Sequence, residues 1–78
     1  GKPFVRPSRL YLRVPDMEGE LFRKARNLVD IFEGNVPVIF YDASDKKYHA
    51  YSVFADADAF VVGELKKLLG DGNVIGKE

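Results

Sequence analysis

The chain of 78 residues carries twelve basic and twelve acidic side chains and no cysteine, and 46% of its residues are hydrophobic. This length suits one small domain, and the lack of cysteine excludes disulfides, thiolate zinc sites and cysteine nucleophiles. A formal net charge of zero makes nucleic-acid binding less expected, because counterion release from phosphates usually requires a basic excess.

The first residue and the hydropathy of the chain predict its cellular location and its domain organisation. The first residue is Gly1 rather than methionine, from which we expect either a piece cut from a longer protein or a processed chain. No apolar run approaches the roughly 20 residues that a membrane-spanning helix needs, and no signal-peptide pattern opens the chain. We therefore expect an intracellular module, placed in the cytoplasm, with residues 1–8 as an extended lead-in and residues 9–78 as a single α+β domain.

The first predicted element is a strand at about residues 9–14, "RLYLRV". Because successive side chains of a strand point to opposite faces, its residues divide into two sets. The set that we expect in the core comprises Leu10, Leu12 and Val14. Tyr11 and Arg13 then point to the opposite face, where core packing does not explain them.

A helix is predicted next, because apolar residues recur at helical spacing in "EGELFRKARNLVDIFEG". The predicted buried stripe comprises Leu21, Ala25, Leu28, Val29 and Phe32. Asp16 is placed to act as the N-cap, and Gly34 is placed to end the helix in the left-handed conformation.

A hairpin is predicted after this helix. "VPVIFYDA" is the most strand-like run in the chain, "DASDKK" predicts a polar turn, and "KYHAYSVF" predicts the returning strand. The buried face of the returning strand is ambiguous at this point. Tyr48, Ala50 and Phe54 form one plausible inward set, and Tyr51 and Val53 form the other.

A second helix and a short last strand complete the predicted elements. Asp56 or Asp58 can cap the helix, and Gly70 is placed to end it. Its predicted apolar stripe comprises Val61, Leu65, Leu68 and Leu69. "VIGK" then predicts the last strand.

The order β-α-β-β-α-β predicts a ferredoxin-like fold, which is a four-stranded antiparallel sheet with two helices on one face. The other face of such a sheet is open. Alternation along the first two strands places Tyr11, Arg13, Ile39 and Tyr41 on that open face. These four side chains are the predicted partner-binding residues.

No catalytic, cofactor-binding or metal-binding set is visible in the sequence. His49 is the sole histidine, no serine lies in a nucleophile-elbow sequence, and the aspartates lack the spacing of a calcium loop. The glycines match neither the P-loop nor the dinucleotide-binding pattern. We therefore expect no cofactor and no enzyme activity in this chain.

An RNA-recognition module is an alternative that shares this order of elements and stacks bases on aromatic side chains of its central strands. "LYLR" resembles its first-strand motif, with Tyr11 at the stacking position. "KYHAYSVF" departs from its third-strand motif at Tyr48, His49 and Ser52. A ligand-binding regulatory domain of the amino-acid-sensing type is a further alternative, for which Gly19 is a weak candidate as the loop glycine.

Two long segments, "GNVPVIFYDASDKK" and "ELKKLLGDGNV", together with "LYLRVP", resemble the extreme C-terminal domain of the bacterial DNA polymerase III alpha subunit. The resemblance covers almost the whole chain from Arg9 onward. It implies a module outside the active site of a DNA-directed DNA polymerase. It also implies a function in DNA replication, in which this module binds the tau subunit of the clamp loader and holds the polymerase in the replisome.

The resemblance implies no residue-level binding motif, so the position of the partner-binding surface stays open. Tyr11, Arg13, Ile39 and Tyr41 offer the aromatic and arginine anchors that interfaces favour. The outer surface of the second helix and the C-terminal "VIGKE" edge are the other possible surfaces. The open face can equally pack against the preceding domain of the parent subunit.

Overall fold

The computed structural model of the protein describes residues 7–77, except for the side chains of residues 50–52. The elements follow in the order β1 (Arg9–Val14), α1 (Glu20–Ile31), β2 (Glu33–Asp42), β3 (Lys47–Ala55), α2 (Ala59–Leu69) and β4 (Val74–Lys77), with one 3-10 turn before β4 (Asp71–Asn73). The predicted α+β class and the predicted order of elements are confirmed. Within residues 7–77, no helix has the length and apolar character needed to cross a membrane.

The four strands form one mixed sheet in the order β3-β2-β1-β4. β1 and β2 are adjacent and parallel, with Tyr11 opposite Ile39 and Arg13 opposite Tyr41. β4 lies antiparallel to β1, and β3 lies antiparallel to β2. The predicted number of strands is confirmed, whereas the predicted all-antiparallel pairing and ferredoxin-like strand order are wrong.

The position of the second strand accounts for this difference. A ferredoxin-like sheet has its third strand between the first two, so that all neighbouring strands are antiparallel. Here α1 connects β1 directly to its neighbour β2, and Leu10 and Leu12 lie opposite Val38 and Phe40. Both arrangements bury the same alternate residues, so the hydrophobic pattern does not distinguish them.

The core lies between the sheet and the two helices, which also pack against each other. The predicted inward residues of β1 are confirmed, because Leu10, Leu12 and Val14 are fully buried. Phe22 of α1 packs edge-on against Phe40 of β2, with ring centroids 4.8 Å apart. The other buried hydrophobic residues of the described chain are Ala25, Val29, Val38, Val53, Ala55, Ala57, Val61, Leu65, Leu69 and Val74.

The predicted limits of α1 are wrong at both ends. The N-cap position is Gly19, whereas Asp16 accepts a hydrogen bond from the N–H of Glu18 at 2.8 Å in the preceding loop. The helix ends at Ile31, and Gly34 lies in β2 outside the left-handed conformation. Asp16 is thus used in a local turn, and Gly34 is explained by a contact across the fold.

The predicted limits of α2 are confirmed. The side chain of Asp58 accepts a hydrogen bond from the N–H of Val61 at 2.9 Å, which caps the first turn. Gly70 ends the helix with a φ of 99°, a conformation that favours glycine. The side-chain amide of Asn73 donates to the carbonyl oxygen of Leu69 at 2.7 Å and so satisfies a free carbonyl at the helix end.

The described side chains of β3 resolve which of its faces is buried. Val53 is buried, whereas Tyr48 and Phe54 are 66% and 51% exposed. Val53 therefore faces the helices, and the inward set that contained Tyr48 and Phe54 is wrong. Tyr51 lies outside the described side chains. The register between β2 and β3 shifts between Pro37 and Ile39.

The predicted lead-in lies largely outside the described residues. Its last two residues are described, and the N–H of Ser8 donates to the carbonyl oxygen of Lys77 at 2.6 Å. Pro7 is buried against Gly76. The chain directly before β1 is thus held against the end of β4, while β1 itself begins at Arg9 as predicted.

Candidate functional site

The sheet face opposite the helices carries the four residues predicted to bind a partner. Tyr11 and Arg13 lie on β1, Ile39 and Tyr41 lie on β2, and the parallel register places each pair side by side. These four side chains are exposed or half-buried, whereas those that alternate with them on both strands are buried. Their shared position on the open face is confirmed, and their function in binding stays a prediction.

The tyrosine rings and the arginine of this face contact one another across three strands. The ring of Tyr48 on β3 lies edge-on to Tyr11 with centroids 6.0 Å apart, and its centroid is 4.9 Å from that of Tyr41. The guanidinium carbon of Arg13 lies 5.8 Å from the centroid of Tyr41, within the range of a cation–π contact. We call Tyr11, Arg13, Tyr41 and Tyr48 the tyrosine–arginine cluster.

Tyr48 is the member of this cluster that the sequence prediction missed. The ambiguity of β3 hid it, because both faces of "KYHAYSVF" carry aromatic residues. The hairpin register holds the missing signal, since Tyr48 lies opposite Tyr41 across the turn of residues 43–46. Directly opposite residues of an antiparallel pair share a face, so the position of Tyr41 fixes that of Tyr48.

An open depression of about 510 Å³ adjoins the cluster. Tyr11, Ile39, Tyr48, Ile75 and Lys77 line it, and Ile75 of β4 is 48% exposed. The register places Ile39 and Ile75 on either side of Tyr11. The lining is mainly apolar, with Lys77 as the charged residue among these five, so the depression fits an apolar side chain of a partner protein.

The charged side chains that line the depressions of the open face are cationic within residues 7–77. Arg13 lines one depression and Lys77 lines another, and no carboxylate of the described residues lines either. Arg9 lies opposite Lys77 in the register of β1 and β4. Within residues 7–77, none of these three cations forms a salt bridge. The zero net charge of the chain therefore conceals a local excess of positive charge on this face.

Acidic residues gather on a different part of the surface. Asp16, Glu18, Asp42 and Asp45 line a concavity together with His49. These residues come from the loop after β1, the end of β2 and the turn into β3. The molecule thus has a cationic, aromatic surface on the open sheet face and a separate acidic surface at these loops.

Asp42 holds the acidic loops together. Its Oδ1 accepts hydrogen bonds from the hydroxyl and the N–H of Ser44, at 2.6 and 2.8 Å, and its Oδ2 accepts one from the N–H of Met17 at 3.2 Å. The hydrogen bond from the Ser44 hydroxyl is the largest cause that holds the pKa of Asp42 below its usual value. Backbone N–H groups lower this pKa further, and burial opposes them.

A group of three possible metal ligands lies in the same loops. One ligand atom each from Asp42, Asp45 and His49 lies within 4.8 Å of the others, and His49 Nε2 is 3.1 Å from Asp45 Oδ2. Both oxygens of Asp42 already accept hydrogen bonds from the surrounding loops. These hydrogen bonds and the contact between His49 and Asp45 stabilise the turn that joins β2 to β3.

No protein-family model matches this sequence, and no curated protein or solved structure matches the chain. The class of the protein therefore follows from its own fold and surface. It is a small α+β domain with a mixed four-stranded sheet, two helices on one side and an aromatic, cationic face on the other.

Proposed function

We propose that this chain is a non-catalytic interaction domain that tethers a bacterial replicative DNA polymerase to the clamp loader. In this proposal it is the C-terminal domain of the DNA polymerase III alpha subunit, acts in the cytoplasm and binds the tau subunit. The observation that carries the proposal is the tyrosine–arginine cluster, which lies beside an apolar depression on a sheet face that no described element of the chain covers.

The chemistry of this face supports protein binding. Tyrosine and arginine dominate the residues that contribute most to the affinity of protein interfaces, because they bury a large area while keeping a polar group available. The contacts of Tyr48 with Tyr11 and Tyr41, and of Arg13 with Tyr41, already restrict these side chains. Restricted side chains lose less conformational entropy when a partner binds.

The two segments that resemble the polymerase family contribute residues that stabilise the fold. Gly34 approaches the backbone of Asp56 closely, Asp42 joins two loops, and Gly70 and Asn73 complete the end of α2. The first of these segments also carries Ile39 and Tyr41, so it contributes to the open face as well as to the stability of the fold.

The test is a calorimetric titration of this chain with the C-terminal part of the tau subunit. We expect saturable binding that the double substitution Tyr11→Ala and Tyr48→Ala weakens by about 30-fold or more, since the loss of even one hot-spot residue costs about 2 kcal/mol. Phe60→Ala is the matched control, because Phe60 is an aromatic residue of α2 that is 59% exposed.

The outcomes separate the candidate surfaces and functions. Equal loss of binding in the Phe60→Ala control would move the interface to α2. A chain that does not bind tau but binds oligothymidylate through Tyr11 and Tyr48 would replace the proposal with the single-stranded nucleic-acid-binding alternative. The outward position of Tyr11 and Tyr41 on the two central strands is the observation that favours this alternative.

A further inference from the structure

The cations of the open face lie at the two ends of a row that has apolar residues at its centre. Arg13 lies near one end of β1, and Arg9 lies at the other end, opposite Lys77 of β4. Arg9 and Arg13 are four positions apart, which corresponds to roughly 13 Å in a strand. Tyr11 lies midway between them, between Ile39 and Ile75. The face therefore presents positive charge, an apolar centre and positive charge along the direction of β1.

We propose that this face binds an extended segment of the partner protein in which an apolar side chain lies between two carboxylates that are four positions apart. The inference rests on the proposed function as a partner-binding domain and specifies the chemistry of the bound segment. In an extended chain, positions i, i+2 and i+4 point to the same side, and the outer two are roughly 13 Å apart. This spacing matches that of the cations on the open face.

Each group of the bound segment has a defined place on the face. One carboxylate pairs with Arg13, whose guanidinium is already held against the ring of Tyr41. The apolar side chain enters the depression lined by Ile39 and Ile75. The second carboxylate pairs with Lys77, and Arg9 beside it adds to the attraction. These cations have no carboxylate partner within residues 7–77, so no existing salt bridge has to break.

Two other occupants fit the same face less well. A symmetric pair of this chain would bring the three cations Arg9, Arg13 and Lys77 of each copy close to those of the other, and like charges oppose such an interface. A single strand of nucleic acid needs free ring faces on which its bases can stack. Tyr11 and Tyr41 both contact Tyr48, and Arg13 lies over the ring of Tyr41.

The test uses the chain and a labelled peptide, Gly-Ser-Glu-Ser-Leu-Ser-Glu-Ser-Gly, in a fluorescence-anisotropy titration at low salt. We expect the double substitution Arg13→Glu and Lys77→Glu to raise the Kd by about tenfold, because each reversed pair turns a weak attraction into a weak repulsion. The control substitutions Arg23→Glu and Lys66→Glu change the net charge by the same amount on the exposed surfaces of α1 and α2. They should leave the Kd within about twofold of its original value.

Three altered peptides test the specificity of the interaction. Lysine in place of both glutamates should abolish binding, and alanine in place of leucine should weaken it. Removing one serine between leucine and a glutamate should also weaken it, because the carboxylate then points away from the face. Thermal unfolding of each protein variant shows whether it is folded, and the exposed positions of Arg13 and Lys77 predict unchanged midpoints.

Several results would overturn this inference. These are equal effects of the two charge-reversal pairs, equal binding of the lysine peptide, or tighter binding of a short oligothymidylate that depends on Arg13 and Lys77. Binding to tau that survives Arg13→Glu with Lys77→Glu would overturn the inference and leave the proposed function standing. Peptide binding without tau binding would overturn the proposed function alone.

Discussion

Replacement of Gly34 by alanine tests the closest backbone approach seen at a glycine of this fold. A Cβ atom on Gly34 would lie 2.5 Å from the backbone nitrogen of Asp56 and 2.6 Å from its Cα. Carbon atoms at such distances overlap, so the start of β2 or the segment after β3 must move. That segment is anchored by a hydrogen bond in which the N–H of Asp56 donates to the carbonyl oxygen of Phe32 at 2.7 Å.

The expected cost follows from these two contacts. Overpacking of this kind costs about 1–3 kcal/mol, and weakening the backbone hydrogen bond costs about 1 kcal/mol more. Alanine also restricts the conformations of the unfolded chain, which stabilises the folded state by about 0.4–1 kcal/mol. We therefore expect Gly34→Ala to lower the free energy of unfolding by about 1–3 kcal/mol, which is a fall of roughly 10 °C in Tm for a domain of this size.

Gly63→Ala is the matched control because the same substitution meets open space there. Gly63 lies within α2, and no atom lies within 4 Å of the position that its Cβ would take. Alanine has the higher helix propensity, so this variant should gain about 0.5–1 kcal/mol. Urea unfolding followed by circular dichroism measures both changes. A Gly34→Ala variant as stable as the original chain would refute the close approach of β2 to Asp56.

Three further predictions concern stability. Asp42→Asn should lower the free energy of unfolding at neutral pH, because the pKa of Asp42 is lower in the folded state than its usual value. This contribution is present above the usual carboxyl pKa and is lost as the pH falls through the lower pKa of the folded state. The urea midpoints of the two proteins should therefore converge as the pH is lowered from neutral to acidic. Asp58→Ala should lower the free energy of unfolding by about 1 kcal/mol through loss of the cap on Val61, and Asp58→Asn should restore most of it in the same urea titration. Leu12→Ala should lower the free energy of unfolding by about 2–5 kcal/mol, whereas Phe60→Ala on the surface should lower it much less. Calorimetric unfolding compares the two variants, and equal losses of stability would contradict the assigned core.

Local chemistry predicted the parts of the fold that depend on near neighbours in sequence. The alternation of Leu10, Leu12 and Val14 correctly marks the buried face of β1, and Asp58 and Gly70 correctly mark the ends of α2. The strand order failed because it is set by which strands pair across the fold. The same alternation of buried and exposed residues is required whether β1 and β2 are adjacent or have another strand between them. No residue in either strand therefore indicates which of the two arrangements forms.

The failed predictions at α1 have a similar cause. Asp16 can accept hydrogen bonds in a local turn as well as at a helix end, and the fold uses the turn. Gly34 is required by the backbone of Asp56, a residue distant in sequence that no local pattern reveals.

The open face was predicted in part. Alternation on β1 and β2 correctly brought Tyr11, Arg13, Ile39 and Tyr41 together. Tyr48 was missed because aromatic residues occupy both faces of β3. The cationic character of the face was not predicted because a total charge of zero does not reveal a local excess. The distribution of charge depends on the register of β4, which brings Lys77 beside Arg9.

The central position of β1 has a mechanical consequence. The backbone N–H of Ser8, directly before β1, is hydrogen-bonded to the end of β4, and β1 is paired with strands on both sides. Hydrogen bonds between strands run across the strand direction, so a force that pulls the chain before Arg9 along the axis of β1 loads the bonds to β2 and β4 in shear. Bonds loaded in shear share the force, whereas those of an edge strand pulled sideways break one after another. A load that enters the domain along β1 therefore acts on a strand that is hydrogen-bonded on both of its edges.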